Sequence, residues 1–308
     1  MNRTDNLLAA GVATIWGLNF VVIEVGMRGV PPLLFLAARF LLVVFPLVFL
    51  VPRPQVGWRT VVGVGLFMSL GQFAFLYLSM AAGLSPGIAA LVLQAQVMVT
   101  IVLAAGVLGE RPSTRQWWGV LLGTVGLVVV ALGRGGEVTL VALGLCLLGA
   151  VSWGIGNVVS RAGGAAGGLS LTVWSALVVP VPLLVATWWS GGTEPFEQAW
   201  AAIGWAPVLS TLYTAGLASL IGYAVFNSLL ARHPSAAVVP WILLAPVVAM
   251  ASAWLFLGQV PAPGELLGGA VLLVGVLVAT RPVRVTGGAV PPTRSSRPRR
   301  ARSAPVGR

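Results

Sequence analysis

An Arg and a Glu stand inside long apolar runs of this sequence, in the company of several amides and hydroxyls. Arg39 falls seven residues into a stretch that opens at position 32. At roughly 1.5 Å rise per residue that is about 10 Å deep. Glu24 lies near the end of the preceding stretch. An ionisable group inside a bilayer costs roughly 2.5–3.5 kcal/mol on insertion scales, so each intramembrane charge needs a partner or a task. A Glu24–Arg39 pair would neutralise both charges. Two other readings of Arg39 are a side chain that snorkels to the interface and a charge that meets the carboxylate of a small ligand.

The uncharged polar residues also fall in patterns. Ser219, Tyr223 and Asn227 recur every four residues and so share one helical face. Ser69 and Gln72 form a shorter stripe. Gln94 and Gln96 are two apart, about 200° around a helix, so only one of them faces a given cavity; Gln96 shares its side with Thr100. Asn19 and Asn157 reach mid-span from different parts of the chain. Polar groups in lipid need a cavity or another helix to bond. Interhelical bonding is one reading of these residues. The other is that Asn19, Gln72, Gln94, Asn157, Ser219, Tyr223 and Asn227 supply donors and acceptors to a small zwitterion, with Tyr223 adding an aromatic wall. Trp16 and Trp153 sit mid-span and read as packing residues. Pro240 and Pro246 each remove a helix hydrogen bond and are expected to bend or unwind their helix.

Catalysis is poorly provided for. The single Cys146 excludes an internal disulfide, and one His with one Cys argues against a protein metal site. No nucleophile–base pair stands out, so no catalytic residue, metal or cofactor is assigned. No GxxxxGK[ST] phosphate loop is present. Any concentrative work must therefore come from an ion gradient or from exchange.

The elements that must position these residues are membrane helices. The chain is 58% hydrophobic and 8% charged, with mean hydropathy +0.97. A soluble domain carries roughly 25% charged residues. The apolar runs are continuous and helix-length, unlike the alternating strands of a membrane barrel. Ten segments result: 7–27, 32–51, 60–81, 86–108, 116–133, 139–161, 170–189, 206–230, 236–257 and 264–281. The first contains Trp16, Asn19 and Glu24 with no cleavage pattern after it, and reads as a retained span. All eighteen basic residues are Arg. With the N-terminus inside, fifteen fall on the inner side, only Arg28 and Arg134 on the outer, and Arg39 within a span. That bias places both termini in the cytoplasm. Eight of the arginines crowd the last 28 residues, so 283–308 reads as a disordered basic cytoplasmic tail and not as a nucleic-acid site. Anionic lipid headgroups and a simple topology signal are two readings of that tail.

Two signatures repeat. Trp16-Gly17-Leu18-Asn19 returns as Trp153-Gly154-Ile155-Gly156-Asn157, 137 positions on. Leu108-Gly109-Glu110 with Pro112 returns as Leu257-Gly258-Gln259 with Pro261, 149 positions on. Each repeat holds five spans, 1–135 and 136–282, and an odd number forces the second copy to enter the membrane from the opposite side. The expected fold is thus an all-α polytopic membrane protein of ten transmembrane helices, arranged as two inverted five-helix repeats. Such repeats carry a substrate site near midplane where the halves meet.

The repeat residues also bear a likeness. The chain resembles the EamA family of the drug/metabolite transporter superfamily over residues 5–282. The matching stretches are TIWGLNFVVIEVG (14–26), PPLLFLAARF (31–40), LVLQAQVMVTIVLAAGVLGER (91–111), SWGIGN (152–157), VWSALVVPVP (173–182), SLIGYAVFNSLL (219–230) and APVVAMASAWLFLG (245–258). The LVLQAQ and WGLNFVV runs are most similar to the bacterial branch that exports O-acetylserine and cysteine. Two positions depart from the pattern: Glu24 stands where lysine is more usual, and Gln259 replaces an acidic residue. The resemblance implies a secondary transporter in the bacterial inner membrane, not an enzyme. It implies export of a small polar metabolite, an amino acid or derivative of the cysteine/O-acetylserine type. The alternatives are a multidrug or other-metabolite transporter of the same superfamily and an intramembrane enzyme. The expected partners are a small-molecule substrate and the lipid bilayer; oligomeric state is left open.

Overall fold

The computed structural model describes residues 1–45, 47–133, 139–165 and 168–280, and among these there is no strand. Among the described residues ten helices are long and apolar enough to cross a bilayer. They are α1 (Arg3–Gly26), α2 (Pro32–Leu50), α3 (Trp58–Ala81), α4 (Pro86–Leu108), α5 (Thr114–Gly133), α6 (Leu140–Ala162), α7 (Leu169–Gly191), α8 (Trp205–Arg232), α9 (Ala237–Leu257) and α10 (Pro263–Thr280). The tail assigned to 283–308 and Arg134, counted on the outer side, lie outside the described residues. A short helix, Glu194–Ala201, occupies the long connection between α7 and α8.

The span boundaries follow local chemistry. α1 starts at Arg3, four residues before the apolar run, because the Asn2 side chain accepts the Asp5 amide at 2.7 Å. Asp5 is itself held by Arg232 and His233, each at 2.8 Å, which ties the start of α1 to the end of α8. Thr139 caps α6 in the same way by accepting the Ala142 amide at 3.1 Å. Capping groups satisfy amides that the first helical turn leaves without partners.

Helices in lipid gain little hydrophobic drive from meeting each other, so close contact and hydrogen bonds must hold them. α5 and α10 pack along glycines. A Cβ on Gly119 would stand 2.5 Å from the Ala279 nitrogen, and one on Gly126 would stand 2.7 Å from the Gly268 carbonyl oxygen. α1 packs on α9 and α8, α6 packs on α4 and α3, and α2 packs on α7. Ser79 donates to the Ala142 carbonyl at 2.7 Å and Ser152 to the Phe67 carbonyl at 2.8 Å, pinning α3 to α6.

Irregularities recur at the spacing of the second sequence signature. α3 contains a π-helical stretch at Gly65–Gly71 and α8 one at Tyr213–Ile221. α4 and α9 are each interrupted, after Val92 and after Ile242. Pro240 and Pro246 flank the second interruption, but α4 breaks at the corresponding place with no proline inside it. The bend expected from proline is therefore built into both helices, and Pro246 occupies a first turn that has no internal amide bond to lose.

Candidate substrate site

Arg39 organises the centre of the molecule. Its side chain comes from α2 and is 2% exposed. Nε and Nη2 donate to the Ser219 hydroxyl on α8 at 3.2 and 2.9 Å, and Nη1 donates to the Tyr77 hydroxyl on α3 at 3.2 Å. The guanidinium carbon lies 4.3 Å from the centre of the Phe73 ring and 5.6 Å from that of Phe40. Phe73 and Tyr77 sit one turn apart on α3, so one helix supplies both the ring and the hydroxyl.

The π-helical turn of α8 sets the acceptor. Ser219 donates its own proton to the Thr214 carbonyl five residues earlier, at 2.8 Å. A regular α-helix would have offered the carbonyl four residues back. This bond leaves the lone pairs of the hydroxyl for Arg39. α8 is in turn held to α1 from both sides: Trp16 Nε1 donates to the Ala218 carbonyl at 2.9 Å, and Tyr213 donates to the Ile15 carbonyl at 3.0 Å. A Cβ at position 222 would stand 2.6 Å from Trp16 Nε1, so glycine is required for that approach. The Trp16 ring also meets that of Tyr223 at a tilt, 5.1 Å between centres, and that of Phe226 edge-on at 5.3 Å. Tyr223 lies within electrostatic reach of Arg39.

The expected Glu24–Arg39 pair does not form. Glu24 Oε1 instead accepts from Gln259 Nε2 at 2.9 Å, where α1 and α9 end. Among the described residues no carboxylate lies within ion-pair distance of Arg39. A guanidinium carries five N–H groups, and three are engaged here. The two that remain are buried donors with a formal positive charge behind them. That combination is suited to an anionic ligand group, since guanidinium binds carboxylate through paired N–H donors.

The other expected contacts divide. Asn19 is 7% exposed, and its Oδ1 has no hydrogen-bond partner. Gln72 and Gln94 are buried, Gln72 just past the π-helical stretch of α3 and Gln94 at the interruption of α4. Asn227 is partly buried on α8, two turns beyond Ser219. Asn157 is committed elsewhere: its Nδ2 donates to Gln96 Oε1 at 2.9 Å and Thr100 Oγ1 at 3.0 Å, tying α6 to α4. Gln96 and Thr100 thus share a side as their spacing requires, but that side meets α6. Tyr77 and Phe73 were not among the expected residues. Their spacing on the third span, one turn apart, was the available signal.

Comparison with known proteins settles what kind of molecule this is. The EamA-like transporter family matches residues 4–132 and again residues 140–281. The chain belongs to the EamA-like transporter family. A Salmonella typhimurium protein named as a probable amino-acid metabolite efflux pump is 38% identical over 284 residues, which is 90% of this chain and 95% of that one. The Escherichia coli protein of the same name is 37% identical over the same shares. A probable terminal-alkyne amino-acid exporter of Streptantibioticus cattleyicolor is 30% identical over 63% of this chain and 64% of its own. A solved crystal structure shares the fold, with a TM-score of 0.60 at 19% identity over 91% of this chain and 97% of that one. This EamA-like protein is therefore a multi-pass membrane protein of a transporter family, as its sequence stretches implied.

Proposed function

We propose that this EamA-like protein exports a small amino acid or amino-acid derivative, of the cysteine/O-acetylserine type, and that Arg39 anchors the substrate carboxylate. One observation carries the reading: Arg39 is a buried guanidinium with no carboxylate partner among the described residues and two N–H groups free. An uncompensated charge in a low-dielectric site is expensive to keep. Cover from a substrate carboxylate during each cycle gives that expense a purpose. Asn19 Oδ1, a buried acceptor without a donor, suits the ammonium of the same zwitterion. Tyr223, Gln72, Gln94 and Asn227 supply the remaining polar lining, whereas Ser219 acts by positioning Arg39 and Asn157 acts from behind by holding α4 against α6.

The reading places the protein in the inner membrane with both termini cytoplasmic, following the distribution of arginine. Residues 1–135 and 136–282 act as inverted repeats that rock about the site. The recurring π-helical stretches and interrupted helices support this division. No step of chemistry is performed on the substrate. The names of the relatives support an amino-acid cargo.

The experiment is export from vesicles loaded with labelled amino acids, paired with their decarboxylated amines. Arg39→Gln should weaken apparent affinity for the amino acids by about 10- to 150-fold, the worth of hydrogen bonds to a charged group. The same change should leave transport of any accepted amine nearly untouched. Equal losses for acid and amine would remove Arg39 from the carboxylate-binding role.

A further inference from the structure

We propose that two side-chain tethers, Glu110–Arg161 at one end and Glu24–Gln259 at the other, are the opposed gates of the transport path. The proposal rests on the alternating-access reading above. Each tether joins the first half of the chain to the second. Arg161, at the end of α6, donates to Glu110 at 3.3 and 3.2 Å through Nη1. Gln259, past the end of α9, donates to Glu24 on α1 at 2.9 Å.

The two tethers occupy corresponding places in the two halves. Gln259 follows Glu110 by 149 positions and Arg161 follows Glu24 by 137, the same two spacings that relate the repeated signatures. The local backbone agrees. Gly109 and Gly258 end their helices in the left-handed conformation, at φ 68° and 69°. The next residue then turns its amide back to a carbonyl inside the helix: Glu110 to Ala104 at 3.3 Å, and Gln259 to Ala253 at 3.2 Å. Both side chains are therefore aimed by the same glycine corner. Helix-end corners of this kind also absorb the dihedral changes of a hinge.

The tethers lie at opposite ends. Successive spans joined by short connections run in alternate directions, so α1 and α9 finish at one end while α4 and α6 finish at the other. A rocking motion that opens one end must part the tether there and can keep the other. The structure holds both at once.

Their chemistry is unequal. Glu110–Arg161 is an ion pair with both side chains about half exposed, 48% and 54%, so water and salt weaken it. Glu24–Gln259 is a single carboxylate–amide bond beside a cavity of about 490 Å³, which Met80, Ser85, Ala253 and Glu265 also line. Gln259 Oε1 is buried without a partner, so the amide is only half satisfied in the tethered position. The space and the missing partner mark the Glu24 end as the one whose side chains have somewhere to go.

The test uses two reporters at corresponding buried positions, Ala104→Cys and Ala253→Cys, each alone in a Cys146→Ser background. A membrane-impermeant maleimide is applied from either face, to right-side-out and to inverted vesicles. Gln259→Ala should raise the labelling rate at 253, from the face opposite the N-terminus, by about 2- to 10-fold, the worth of one net hydrogen bond. Labelling at 104 should stay level or fall. Glu110→Ala should do the reverse. Glu24→Ala and Arg161→Ala repeat each arm from the other partner, should a first variant not accumulate. Rises at both reporters together, or at neither, overturn the gates. Labelling needs no substrate, so unresponsive reporters in a protein that exports amino acids reject the gates alone. Responsive reporters without export would reject the cargo assignment and leave the gates standing.

Discussion

Ser219 receives two N–H groups of Arg39, at 2.9 and 3.2 Å, although 180 residues separate them in the chain. The contact spans the two halves of the molecule and depends on the π-helical turn that sends the Ser219 proton to Thr214. Ser219→Ala would leave two buried guanidinium donors without an acceptor, at a cost of about 1–3 kcal/mol. Tyr77→Phe removes one acceptor from the same group and should cost less. Thermal unfolding of the purified variants in detergent checks the order. A Tyr77 variant less stable than the Ser219 variant would displace Ser219 as the main support of Arg39.

Glu24 and Arg39 should behave as independent residues. Groups that share no partner add in double-mutant cycles to within about 0.3–0.5 kcal/mol. Glu24→Gln combined with Arg39→Gln is expected to meet that limit. Glu24→Ala combined with Gln259→Ala should exceed it, because those side chains touch at 2.9 Å. Coupling between Glu24 and Arg39 larger than between Glu24 and Gln259 would reinstate the ion pair that their placement in sequence suggested.

The contact between α5 and α10 should be unforgiving of small side chains. Gly126→Val brings branched carbons against the Gly268 carbonyl, 2.7 Å from where its Cβ must sit, and should reduce the amount of folded protein severalfold. Gly106→Ala is the control, since nothing lies within 4 Å of a Cβ there. Size-exclusion profiles of the two variants decide the matter. Similar profiles would show that α5 and α10 separate without consequence.

Both termini are expected in the cytoplasm, together with the corner that holds Ser113. In a Cys146→Ser background, Ser113→Cys should react with an impermeant maleimide only in inverted vesicles. Ser113 lies just before α5, on the same corner as Glu110, so its label also fixes which gate faces the cytoplasm. Reaction in right-side-out vesicles would invert the proposed topology.

How much of this was legible in the sequence depended on the range of the interaction. Ten spans could be read from hydropathy because each is a local property of about 20 residues. The anchoring of the start of α1 was less visible, since Asp5 in its first turn is held by Arg232 and His233, far along the chain. Arg39 was recognisable as a buried charge, but its partners were not. Charge counting favours a carboxylate, and the actual neighbours are two hydroxyls and a ring. The π-helical turns shift the register by one residue and leave no compositional trace, so the bond from Ser219 to Thr214 had no sequence signal. Gln259 stood out only as a departure from the family pattern, and nothing in the sequence tied it to Glu24, whose carboxylate accepts its amide.

Asn19 and Asn157 offer the sharpest separation between substrate contact and structural support. They occupy related places in the repeated tryptophan–glycine signature, yet their surroundings differ. Asn157 donates twice, to Gln96 and Thr100, and joins two helices by doing so. Asn157→Ala should therefore lower stability by about 0.5–1.5 kcal/mol and reduce abundance, with affinity per folded molecule little changed. Asn19 is nine-tenths buried, and its Oδ1 has no partner. Removing an unsatisfied buried polar group releases its desolvation penalty, so Asn19→Ala should fold as well as the parent or better. If Oδ1 receives the substrate ammonium, the same variant should lose affinity by about 10-fold or more, the worth of a bond to a charged donor. The measurement is transport affinity and unfolding temperature for both variants, side by side. Loss of stability in Asn19→Ala with unchanged affinity would assign Asn19 to the scaffold and leave the substrate ammonium without its acceptor.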